Sequence, residues 1–198
     1  MELRLAGPEQ TALAYERDLR PAFPPAELKP LANIQAMCRD GCYRPWCLFQ
    51  GEEIVGECFL WLGRPGWALL DYLCVAQDRR NAGAGAAMLA QLRRAEPETV
   101  VLVESEAPEH APDHQLAQRR LGFYARNGLR TAGYDTDVFG VHYKMLYLSA
   151  ESMPDEVLIR ENRFIYQNRF SKEKYDRFVR IPRDPAAGPL PQAPWNED

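Results

Sequence analysis

One stretch constrains the fold more than any other. Trp67 to Val75 is apolar at nearly every position except Asp71. A short polar connection then leads to Arg80-Asn81-Ala82-Gly83-Ala84-Gly85 and the alanine-rich helix former Ala86 to Leu92. An apolar run of that kind reads as a central strand covered on both faces. A glycine-rich loop that leaves such a strand and opens a helix converges backbone N–H groups on one point, so it can hold an anion without net positive charge. Gly83 and Gly85 carry no Cβ, which lets a diphosphate approach the main chain while the helix turns its positive dipole end toward it. Arg79 and Arg80 add local charge. The alternative use of the same glycines is a tight turn with close helix packing. The loop lacks the Gly-Lys-Ser/Thr end of a P-loop and the three glycines of a dinucleotide fingerprint, so nucleotide hydrolysis and hydride transfer recede.

The remaining composition narrows the partners. The 24 Lys and Arg against 28 Asp and Glu leave a net charge of −4, so there is no global basic field for nucleic acid or an anionic membrane. No run approaches 18 apolar residues, and Met1-Glu2-Leu3-Arg4 opens an alternating segment rather than a secretory leader, so a cytoplasmic protein is expected. Cys38, Cys42, Cys47, Cys58 and Cys74 are odd in number and form no CxxC pair, so they read as reduced, buried thiols. His110 and His114 are four apart, but Pro112 disfavours one helix through both, and no metal is expected. His142, on a strand, reads as structural.

Periodicity and breakers supply the other elements. Met1 to Leu5 alternates as a strand; a helix over Thr11 to Leu19 stops at Pro21; a second runs from Ala26 to Met37 and closes at Gly41. Tyr43 to Phe49 and Ile54 to Leu62 flank the turn Gln50-Gly51-Glu52-Glu53 as a hairpin. Val100 to Val103 is a further core strand, His114 to Asn127 a helix ended by Gly128, and Leu129 to Tyr134 and Val138 to Leu148 two last strands. Met153-Pro154-Asp155-Glu156 starts one more helix, Ser171 caps another through Ile181, and the proline-rich stretch from Pro182 is expected to be a flexible tail. The organisation expected is a domain over 1–150, a helical extension over 151–181 and a tail over 182–198.

Arg80-x-x-Gly83-x-Gly85, in this order of elements, resembles the acetyl-CoA motif of the GNAT superfamily of N-acetyltransferases. The segment Leu121-Gly122-Phe123-Tyr124-Ala125-Arg126-Asn127-Gly128-Leu129 is similar to that family's fourth helix and the turn after it. The resemblance spans roughly 1–148. It implies an α/β (α+β) fold: a mixed, mostly antiparallel sheet of about seven strands flanked by helices, with splayed central strands and here a C-terminal helical appendage. It also implies acetyl-CoA as cosubstrate, bound between the fourth and fifth strands along Leu73, Cys74 and Val75, with Arg80, Asn81, Ala82, Gly83, Ala84 and Gly85 at its phosphates. Glu104, at the end of the fifth strand, matches the family's usual general base, and Tyr124 its usual acid for the departing thiolate. Asp71 shares a strand face with Leu73 and Val75 and competes with Glu104 as base. Cys74 as a covalent nucleophile is a further reading, without a neighbouring base in sequence to favour it. Ala117 stands where many relatives carry an asparagine, and the longer loop Ser105 to His114 sets the acceptor side apart.

The expected activity is transfer of an acetyl group to a primary amine of a small molecule or amino-acid-like acceptor. A protein N-acetyltransferase and a noncatalytic acyl-CoA-binding module are the alternatives, and a homodimer is one use of the appended helices.

Overall fold

The computed structural model describes residues 1–25 and 27–195; Ala26, the expected start of the second helix, and residues 196–198 at the end of the expected tail lie outside the described residues. The chain divides into two compact units. One comprises Met1–Leu62 and Leu70–Pro97 with Pro194 and Trp195; the other comprises Gly63–Leu69 and Glu98–Ala193.

In the first unit the strands β1 (Glu2–Leu5), β2 (Tyr43–Gln50), β3 (Glu53–Leu62) and β4 (Trp67–Val75, whose first three residues group with the second unit) follow one another in sheet order. β1 and β2, and β2 and β3, pair antiparallel; Gln50 opposes Glu53 across a turn in which Gly51 has a φ of +63°. The first helix does not stop at Pro21. α1 (Pro8–Ala14) passes through a π-helical turn, Tyr15–Leu19, into α2 (Arg20–Ala22). Pro21 has no N–H and its ring would meet the carbonyl four residues back in a regular helix; the wider turn immediately before it accommodates this. The second helix, α3 (Leu31–Arg39), starts later than its apolar spacing suggests, because Pro30 forces the residue before it out of the helical region. α4 (Ala84–Ala95) lies close to β3, and Gly56 makes this approach possible: a Cβ there would stand 2.9 Å from both the Cys74 carbonyl oxygen and Met88 Cε.

In the second unit the order is β5 (Val100–Glu106), β7 (Val141–Leu148), β6 (Arg130–Val138), β8 (Val179–Arg180), all neighbours antiparallel. β6 and β7 meet at a tight turn, with Phe139 and Gly140 at positive φ. The expected break over Asp135 to Asp137 is absent because those polar groups have partners: Asp135 accepts from His142 and Lys144, and Asp137 from Arg183. Asp113 caps α5 (His114–Arg126) by accepting from the Leu116 N–H, and Ser171 caps α7 (Lys172–Phe178) by accepting from Lys174. The expected helix through Ile181 ends at Phe178, and Val179 and Arg180 pair with Val138 and Asp137 instead; among the described residues the strands therefore number eight where the sequence suggests about seven.

The helix α6 (Asp155–Gln167) is pinned along its length to the rest of this unit. Asp155 accepts from the Gly133 N–H at 2.9 Å, Glu161 pairs with Arg64 at 2.9 Å, and Leu158 and Ile165 are fully buried. Gly63 is required there, since a Cβ would sit 2.8 Å from Ile165 Cγ1. The proline-rich stretch, expected to pack nothing, buries Ala193 and Trp195. Trp195 is large and apolar enough to hold against Trp61, with ring centroids 5.8 Å apart. Among the described residues no helix is long and apolar enough to cross a membrane.

Candidate active site

The first unit carries the loop. After β4 the chain makes one 3-10 turn, Gln77–Arg79, and Asn81 and Gly83 then take positive φ values of +64° and +81°. Such values favour glycine and asparagine over other residues. Gly83 is the residue just before α4, it has no side chain to cap that helix, and a Cβ at Gly83 would meet nothing within 4 Å. The turn at Gly83 is thus open, and the first N–H groups of α4 point past it. Asn81, Ala82 and Gly83 are exposed, Gly85 half-buried and Ala84 buried. Arg80 Nε donates to the Val75 carbonyl oxygen at 3.3 Å, tying the loop to the end of β4, whereas Arg79 is committed to Glu53 at 2.9 Å. These residues fit a diphosphate: backbone donors, a helix N-terminus and one nearby guanidinium.

Leu73 and Val75 are half-buried on β4 and Cys74 is buried. Burial, with the Glu57 and Asp18 carboxyls nearby, pushes the Cys74 thiol up to about 12, so it stays protonated at neutral pH. A thiol of that kind is a packing group rather than a nucleophile.

Asp71 sits in a closed network. Its Oδ1 accepts from Lys29 Nζ at 2.5 Å and its Oδ2 from the Tyr43 hydroxyl at 2.5 Å, with the side chains of Lys29 and Asp71 only 2% and 8% exposed. The Lys29 ammonium also lies 3.7 Å from the Trp195 ring centroid and 4.6 Å from that of Trp61. Both oxygens of this carboxylate are thus occupied, one by a buried ammonium and one by a phenol, which gives Asp71 a structural place. Sequence reasoning missed Lys29, whose place beside Pro30 in an apolar stretch gives no local sign of an ion pair 42 residues away.

The second unit carries the other two groups. Glu104, half-buried on β5, accepts at Oε2 from the Tyr166 hydroxyl of α6 at 2.8 Å. Tyr124, half-buried on α5, packs its ring at 5.4 Å from that of Phe123. Burial pushes its phenol up to about 12, with Arg120 opposing the shift. Arg120 itself is tied to Glu106 at 2.6 Å. Ala117 is fully buried, a packing position on the same helix. His114 Nδ1 lies 2.9 Å from the Pro108 carbonyl oxygen, and His142 Nε2 lies 2.7 Å from Asp135 Oδ2. Among the described residues no group of three or more His, Cys, Asp or Glu is placed to hold a metal ion.

Residues 12–123 match the model of the acetyltransferase (GNAT) family. The chain belongs to that family. Solved structures share its mixed, mostly antiparallel fold. A protein from Bacteroides thetaiotaomicron assigned to the GNAT family matches with a TM-score of 0.66 and 19% identity, covering 82% of this chain and 95% of its own. An aminoglycoside 6'-N-acetyltransferase complexed with coenzyme A matches at 0.61 and 14%, covering 78% and 100%. The ribosomal-protein-S18-alanine N-acetyltransferase of Escherichia coli matches at 0.57 and 16%, covering 76% and 96%. No curated protein matches by sequence. This GNAT acetyltransferase has its family match end one residue before Tyr124, so Tyr124, α6 and Tyr166 all lie outside the matched stretch.

Proposed function

We propose that the protein transfers the acetyl group of acetyl-CoA directly to a primary amine, with a small molecule or an amino-acid-like compound as acceptor. The observation that carries the reading is the N-terminus of α4 behind an open, positive-φ Gly83 that has no side chain to cap it, in a chain of the GNAT family. In this reading the backbone N–H groups of residues 81–85 and Arg80 hold the diphosphate of the cosubstrate, and the main chain of Leu73, Cys74 and Val75 aligns the pantetheine.

Glu104 is the base and Tyr124 the acid. An alkylammonium with a reference pKa of about 10.4 must lose a proton before its nitrogen has a free electron pair. Glu104 takes that proton; the nitrogen forms the new N–C bond; the C–S bond breaks with its electron pair going to sulfur; the Tyr124 hydroxyl protonates the departing thiolate; and the second proton lost by the nitrogen as the amide forms restores the phenol. Burial keeps the Tyr124 phenol protonated at neutral pH, so the proton it donates is present when the thiolate departs. Asp71, held by Lys29 and Tyr43, keeps a structural role. The small-amine acceptor draws support from fold neighbours named as aminoglycoside and spermidine N-acetyltransferases.

The test is thiol release from acetyl-CoA with spermidine, an aminoglycoside and a peptide with an N-terminal alanine as acceptors. Turnover with one of them, lowered about 10²- to 10⁴-fold in Glu104→Gln, is expected for a lost general base. CoA binding without turnover on any amine would instead make the protein a noncatalytic CoA-binding module.

A further inference from the structure

We infer that Tyr166, on the C-terminal helix α6, is a positioning residue that orients the Glu104 carboxylate for proton transfer. The inference rests on the reading of Glu104 as base. It makes the helical extension part of the catalytic apparatus rather than an appendage.

The geometry has three parts. The Tyr166 hydroxyl donates to Glu104 Oε2 at 2.8 Å, a bond that fixes one carboxyl oxygen and with it the orientation of the group. Tyr166 is itself 2% exposed, and its ring lies 5.7 Å from that of Phe170, so the phenol has little freedom to swing away. Finally, the helix is anchored to β7, which pairs with β5, and to β6 beyond it. Asp155 accepts from Gly133 of β6, and the fully buried Asn162 donates to the Tyr134 hydroxyl of β6 at 3.4 Å and lies 3.6 Å from Met145 Sδ of β7. Met145 is the register partner of Glu104. The buried side of α6 therefore lies against β6 and β7, the latter paired with the strand of the base, and carries a hydroxyl placed on that base. A helix recruited only to cover apolar surface would satisfy Leu158 and Ile165 without aiming a buried phenol at a carboxylate.

The experiment is steady-state kinetics on the full chain, with acetyl-CoA as donor and the fastest of spermidine, the aminoglycoside and the alanine-led peptide as acceptor. Tyr166→Phe, Glu104→Gln and the double variant are compared. Tyr166→Phe removes one oxygen and keeps the ring, so the packing of α6 is retained. The expected result is a kcat lowered about 10- to 100-fold, the cost of a misaligned reacting group, with the KM for acetyl-CoA within about twofold of wild type. In the Glu104→Gln background the same change is expected to lower kcat no further, since the cycle isolates the hydroxyl's action on the carboxylate from any loss of packing. A wild-type kcat in Tyr166→Phe beside a slow Glu104→Gln overturns the role of Tyr166 and leaves the base in place. An equal loss in both backgrounds makes the residue merely structural and overturns it too. A fast Glu104→Gln, or no turnover by wild type on any of the three amines, removes the base reading and the role of Tyr166 with it.

Discussion

Two carboxyls of similar sequence appearance have opposite surroundings. Asp71 is closed in by Lys29 and Tyr43, while Glu104 has the Tyr166 phenol on one oxygen. A third, Glu57 on β3, is fully buried, and burial beside Asp18 pushes its carboxyl up to about 9, with Arg17 opposing. The unfolded chain releases this proton above about pH 4.5, whereas the folded chain holds it to about 9. The raised folded value means that the contribution of Glu57 to stability is fully present below 4.5 and falls by roughly 1.4 kcal/mol per pH unit through that window. Glu57→Gln removes the dependence, so its melting temperature is expected to exceed that of wild type by more at pH 8 than at pH 5; an equal difference at both would contradict the burial of a neutral acid there. For Tyr124, Tyr124→Phe is expected to lower kcat about tenfold or more while leaving CoA binding unchanged, read by steady-state rates beside titration calorimetry.

At the level of elements, the loop into α4 and the anchor of α6 carry opposite demands on glycine. Gly83 needs its positive φ but has open space, so Gly83→Ala should cost about 1–2 kcal/mol in stability, measured by denaturant titration, without steric displacement. Gly133 has the reverse problem: a Cβ there would come within 2.2 Å of Asp155 Oδ2. Gly133→Ala is expected to release the start of α6, seen as faster proteolysis in 150–167 and slower turnover, whereas unchanged cleavage would contradict the anchoring role of Asp155. The elements around Gly83 were legible in the sequence because apolar run, glycine loop and alanine-rich helix are local signals. β4 keeps the bounds Trp67–Val75 expected for it, and Ser171 caps α7 as its type suggests. The misses were set by partners distant in sequence. Asp135 and Asp137 read as loop until His142, Lys144 and Arg183 arrive beside them, and Val179 reads as helix until Val138 offers a ladder. The contact of Tyr166 with Glu104 spans 62 residues and leaves no local trace.

Across the whole molecule, the loop and strand proposed for the donor belong to the first unit, and the proposed base, acid and positioning phenol to the second. The apolar side of α6 is covered by the chain itself, with Leu158, Ile165 and Tyr166 all at most 2% exposed. Truncation after Leu148 is therefore expected to expose apolar surface and lower the melting point, with increased dye binding, rather than to turn a dimer into a stable monomer. The measurement that tests the central claim most directly is calorimetric titration of CoA, acetyl-CoA, ATP and NAD into wild type and Gly83→Asp. Binding of CoA and acetyl-CoA alone is expected, lost when a carboxylate is placed at the turn that should receive the diphosphate. Equal binding of ATP or NAD, or CoA binding untouched by Gly83→Asp, would contradict it.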